Sequence, residues 1–169
     1  MKHVLTFFLA ILVSLSFCSC GKDAQKNATV FLPEEGHAAF WIGERCYDGV
    51  LRIFSGEAEF QYKMPNSVLD TLKESYVNEE SLSHYREIQW NFKEISTPFS
   101  FLMERLFSLQ NFSLSENGEK TAVKEESDEY LIEIENTPCT VEIQRKSGSL
   151  ISFQTEYRAL SLRLEIKNG

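Results

Sequence analysis

Leu160-Ser161-Leu162-Arg163-Leu164-Glu165-Ile166 decides the fold. Single polar residues separate its four aliphatic side chains, a period of two that gives a strand one dry and one wet face. A helix would scatter the same residues around its circumference. Upstream the alternation recurs at Ala58, Phe60 and Tyr62, at Ile88, Trp90 and Phe92, at Tyr130, Ile132 and Ile134, and at Val141 and Ile143. Turn formers separate the runs: Gly43-Glu44-Arg45, Ser55-Gly56, Asn136-Thr137-Pro138 and Lys146-Ser147-Gly148. Strands of this length joined by such turns are antiparallel hairpins. Val68 to Tyr85 is read as strands as well, although Leu69, Leu72 and Tyr76 also suit a helix.

One segment breaks the period. Thr97 offers a side-chain cap, Pro98 occupies the first helical position, and Phe99, Leu102, Met103 and Leu106 follow on one face. This predicts an amphipathic helix ending near Gln110. Ser113 to Glu129, rich in Ser, Glu, Asn and Lys, is read as an acidic hairpin or loop without the ligand spacing of a calcium loop.

Size then selects the architecture. Eight or so strands make a sheet roughly 38 Å wide, whereas a helix from Pro98 to Gln110 is only about 20 Å long and about 10 Å across. It cannot cover a flat sheet of that width, so the dry face must curl around it. The expected fold is mainly β with one or two helices: an open, strongly curved antiparallel half-barrel with a helical plug or lid.

The N-terminus carries a different signal. Lys2, the apolar run Val4 to Val13, and Ser19-Cys20-Gly21 read as a secretory leader too short to span a bilayer. The segment resembles the lipobox of bacterial lipoproteins, which implies cleavage after residue 19 and acylation of Cys20 as the lipid attachment site. The expected organisation is a signal peptide over 1–19, a lipidated cysteine and tether over 20–37, and one domain over 38–169. Within the tether, Val30, Phe31 and Leu32 read as a docking segment or edge strand stopped by Pro33 and Gly36. The expected address is the extracytoplasmic face of a cell membrane, held by lipid.

The formal charge of −8 becomes −9 once Lys2 leaves with the leader. Acidic residues are spread along the chain with no Lys/Arg cluster to offset them, which argues against nucleic acid as a partner and against electrostatic attachment to anionic lipid. Of four cysteines, Cys46 and Cys139 remain as thiols, and they either pair or stay apart as partly buried side chains. His37 and His84 are the only imidazoles after the leader, and neither stands in a metal-ligand spacing or beside a nucleophile motif. No catalytic residue, metal or cofactor is assigned, and the chain is read as not an enzyme.

The hairpin from Phe40 to Leu51 with its Gly49-Val50-Leu51, the stretch Gly56 to Pro65, the proline-led helix and the closing meander at Thr140 to Leu150 follow one another along the chain. In these features, and in the expected curled sheet with its plug, the chain resembles the outer-membrane lipoprotein carrier (LolA/LolB-like) family. The resemblance covers roughly residues 38–168 by order of elements, and it implies a cavity for an apolar lipid, acyl or lipopeptide ligand. Phe60, Tyr62, Trp90 and Phe92 on the sheet, with Leu102 and Leu106 on the helix, are the candidate lining; they serve equally as ordinary core. The alternative is a cell-envelope interaction module with a packed core and no ligand, meeting a partner protein through a sheet edge or the acidic loop.

Overall fold

The computed structural model describes residues 29–63, 72–77, 80–85, 88–92 and 96–167. The leader, Cys20 and the first part of the tether lie outside the described residues. Eleven strands form a single sheet. They are β1 (Glu35–Ile42), β2 (Arg45–Phe54), β3 (Glu57–Tyr62), β4 (Leu72–Val77), β5 (Glu80–Tyr85), β6 (Ile88–Phe92), β7 (Glu119–Val123), β8 (Ser127–Ile134), β9 (Thr137–Gln144), β10 (Leu150–Tyr157) and β11 (Leu160–Ile166). Between β6 and β7 come α1 (Pro98–Ser108), a 3-10 turn (Leu109–Asn111) and the short α2 (Leu114–Asn117).

The sheet order is β6-β5-β4-β3-β2-β1-β11-β10-β9-β8-β7, every pair antiparallel. The chain starts at the centre, meanders out to β6, crosses through α1 to the opposite edge, and meanders back until β11 lies beside β1. Among the described residues no ladder joins β6 to β7, so the sheet stays open. Antiparallel pairing gathers turns 55–56, 124–126 and 145–148 at one end, the lower rim. Turns 43–44, 135–136 and 158–159 share the other end, the upper rim.

Two aromatic contacts measure the curl. Phe101 of α1 packs on Tyr157 of β10 with ring centroids 4.8 Å apart, and Phe107 packs on Tyr76 of β4 at 5.8 Å. Five strand spacings separate β4 from β10 in the sheet order, about 24 Å if flat. Six residues separate the two phenylalanines, a rise of only about 9 Å. The sheet bends around the helix to close that difference.

The helix starts where its cap dictates. Thr97 Oγ1 accepts from the Ser100 amide at 3.1 Å, and Ser100 Oγ accepts from the Thr97 amide at 2.8 Å, a reciprocal pair that satisfies two otherwise orphaned donors. Phe99, Leu102, Met103 and Leu106 are buried against the sheet, as the spacing predicts. Phe99 meets Phe40 and Phe60 at centroid distances of 5.9 and 6.1 Å. Around it close Leu51, Val141, Phe153, Leu162 and Leu164. Gly49 answers to the same packing: a Cβ there would sit 2.5 Å from the Gln61 carbonyl and from the Phe60 ring.

Three expectations are revised. The sheet has eleven strands rather than about eight; residues 72–85 form two of them, in keeping with the strand reading of that stretch, and 119–123 adds an edge strand. Ser113 to Glu129 contains the expected hairpin, β7–β8, with Asp128 buried between Lys120 and Arg145 and pinning β8 to β7, but the short α2 precedes it in place of a loop. Structure also begins ahead of residue 38. Val30 is buried in the core, Phe31 forms a parallel bridge with Ser149, and β1 opens at Glu35.

Candidate functional site

The candidate site is the concave face of β3 to β6 with the flank of α1. Phe60, Leu102 and Leu106 are brought together there, each 0% exposed. Tyr62 is buried at the upper end of β3, edge-on to Phe60 at 4.9 Å and to Tyr47 at 5.7 Å. Register pairs Phe60 with Glu74, Glu74 with Ser83, and Ser83 with Trp90; Ser81 pairs with Phe92. Positions 90 and 92 therefore belong to the rows that run from Phe60 and Ala58 across the sheet. Their side chains lie outside the described residues.

Glu74 is the member that sequence reading misses. It occupies a core row of β4 between Leu72 and Tyr76 and accepts a hydrogen bond from the Tyr62 hydroxyl. Burial lifts its carboxyl above the usual carboxylate range, with the Tyr62 hydrogen bond acting the other way. Burial, the Glu74 charge and the shared hydrogen bond push the Tyr62 hydroxyl up. The alternation Leu72, Glu74, Tyr76 was the available signal, masked because Leu69, Leu72 and Tyr76 also fit a helix.

A second charged group lies under the upper rim. Arg105 is buried on α1 with its guanidinium carbon 4.7 Å from the centroid of the Phe101 ring. Its Nη1 stands 2.6 Å from Glu135 Oε2 in the β8–β9 turn, yet neither Nε nor Nη1 has a hydrogen-bond partner among the described residues. The Tyr157 hydroxyl donates to the Ser96 carbonyl just ahead of the helix. Together these contacts fasten α1 to the β8–β10 side.

The two thiols do not pair. Cys46 is exposed on β2 and Cys139 buried on β9, both free. Four strand spacings separate β2 from β9, about 19 Å along the sheet, whereas a disulfide needs Cα atoms within about 7 Å. The Cys139 thiol donates to Thr155 Oγ1 at 3.3 Å, and burial raises its pKa while that bond opposes the rise. Among the described residues no group of three or more His, Cys, Asp or Glu is placed to hold a metal ion, and no helix is long and apolar enough to cross a membrane.

What the arrangement offers chemically is apolar contact with one hydrogen-bonded acidic pair at its margin. No family model matches the chain, and no curated protein sequence matches it.

Proposed function

We propose that this chain is a non-catalytic extracytoplasmic lipoprotein, anchored through acylated Cys20, whose half-barrel holds an apolar lipid, acyl chain or lipopeptide as the lipoprotein carrier family does. One observation carries the reading. Helix α1 is seated between β4 and β10, while the face it covers runs two strands further to β6 along the Phe60–Glu74–Ser83–Trp90 row. An amphiphile lying along that wing would have the Tyr62–Glu74 pair at its polar end. Native mass spectrometry of the purified mature protein, followed by lipid extraction, is expected to find a bound apolar molecule released on unfolding. Recovery of empty protein from its native membrane overturns the reading.

A second reading, a packed interaction module, is favoured by the closure of Phe60, Leu102 and Leu106 under the helix and by the edge hairpin that exposes Val123 and Leu131. It predicts empty protein together with a co-purifying partner.

A further inference from the structure

Among the described residues, the three most exposed large apolar side chains share one end of the sheet. Phe31, Phe54 and Val123 are 58%, 56% and 66% exposed, more than any other large hydrophobic residue among the described ones, and all three stand on the lower rim. Phe54 ends β2, Val123 ends β7, and Phe31 is tied to the β9–β10 turn by bonds from its amide to the Gly148 carbonyl and from the Leu150 amide to its own carbonyl. Alternation makes the exposure of the two phenylalanines deliberate: Val30 and Ile53 point into the core, so Phe31 and Phe54 point out of it. The segment from Phe31 to Glu35 runs along this rim from the β9–β10 turn toward the end of β2. Glu34, three residues after Phe31, accepts from the Ile53 amide at 2.8 Å, and Glu35 pairs with Arg52.

The chain enters the domain at this same rim. Eight residues separate Cys20 from Thr29, and the nine chain steps between them reach at most about 32 Å when fully extended. The eight-residue β1 then runs about 27 Å from the lower rim to the upper. Bringing the upper rim to the bilayer would consume nearly all of that reach, whereas the lower rim lies at the end of the tether. The rim is also stiff, because Arg145 holds the Lys124, Glu125 and Ser127 carbonyls and the Asp128 carboxylate, fixing turns 124–126 and 145–148 against each other. With an acidic chain, attachment here must be apolar.

We infer that the lower rim is a membrane-docking surface, with Phe31 and Phe54 seated in the lipid interface beside the acyl anchor. This rests on the proposed acylation of Cys20. It leaves the Tyr62–Glu74 end of the dome facing away from the bilayer.

The test uses the mature lipidated chain carrying Cys46→Ser, reconstituted in phosphatidylcholine vesicles. An environment-sensitive fluorophore is attached through Phe31→Cys, Phe54→Cys or, at the upper rim, Leu160→Cys. Labels at 31 and 54 are expected to shift to the blue in vesicles and to lose intensity when the lipid is brominated, while the label at 160 stays in water. Vesicle-bound protein with all three labels in water overturns the docking surface and leaves the anchor standing. Labels at 31 and 54 that are shielded without vesicles, and more so at higher protein concentration, assign the rim to a second copy and also overturn it. An N-terminal peptide whose mass shows no acyl chain on Cys20 overturns the anchored reading itself, and the docking inference with it.

Discussion

Glu74 stands directly opposite Phe60 across the β3–β4 ladder, so a carboxyl group and a fully buried phenyl ring share one row of the core face. Its raised pKa means that the folded chain holds the proton more tightly than the unfolded chain. The stability linked to this group is therefore complete below the ordinary carboxylate range and is lost as pH rises through the raised value. Glu74→Gln is expected to be more stable than the wild type at neutral pH, by on the order of 1 kcal/mol, with the gap closing toward about pH 4. Urea titrations at the two pH values check this. A variant less stable than the wild type at neutral pH shows that the charged form is the one the fold wants.

Arg105 and Glu135 form a lopsided pair, one side chain buried and the other exposed. Arg105→Met keeps the packing on Phe101 and removes two donors without hydrogen bonds, so it should fall within about 1 kcal/mol of the wild type or above it. Glu135→Ala leaves the buried guanidinium only the more distant Glu104 carboxylate at 3.7 Å and should cost about 1 to 3 kcal/mol. Thermal melts of both decide it; a larger loss for Arg105→Met than for Glu135→Ala contradicts the account.

Adjacent residues of β11 point to opposite faces. Leu162 is buried between Thr155 and Ile42 in the ladder, whereas Arg163 is partly exposed and pairs with Glu165 at 3.4 Å. Leu162→Asp is expected to prevent folding, and Arg163→Asp to change stability by less than about 1 kcal/mol. Circular dichroism of the two proteins is sufficient, and similar losses for both would show the wrong register.

Ala58 separates the two functional readings. It lies opposite Tyr76, the ring on which Phe107 rests. If the dome yields to a ligand, Ala58→Leu should weaken binding of a fluorescent fatty acid while costing less than about 1 kcal/mol. In a rigidly filled core the same change costs about 1 to 3 kcal/mol through overpacking. That cost, with no binding by the wild type, sinks the lipid reading.

The curved sheet and its helix were legible because both signals are periodic and local. Leu160 to Ile166 alternates without interruption, and Thr97-Pro98 marks the helix start by chemistry that needs no distant partner. Glu74 was not legible because its place depends on a ladder with Phe60 fourteen residues away. The burial of Arg105 depends on a turn thirty residues downstream, and the separation of Cys46 from Cys139 on the order in which strands meet. Val30 and Phe31 were readable as a docking segment, but not as the start of the lower rim, since their contact at residues 148–150 lies at the far end of the chain.

The pairing of β1 with β11 also has a kinetic meaning. Every other ladder joins strands that are consecutive in the chain, so each wing is a run of low contact order able to assemble by itself. The central seam closes a loop of more than a hundred residues, from Ala38 to Ile166, with the Lys167 amide donating to the His37 carbonyl as its final link. Until the last strand pairs, β1 presents an open edge of the kind that recruits foreign strands. Losing only residues 160–169 would leave the two wings with no strand ladder between them.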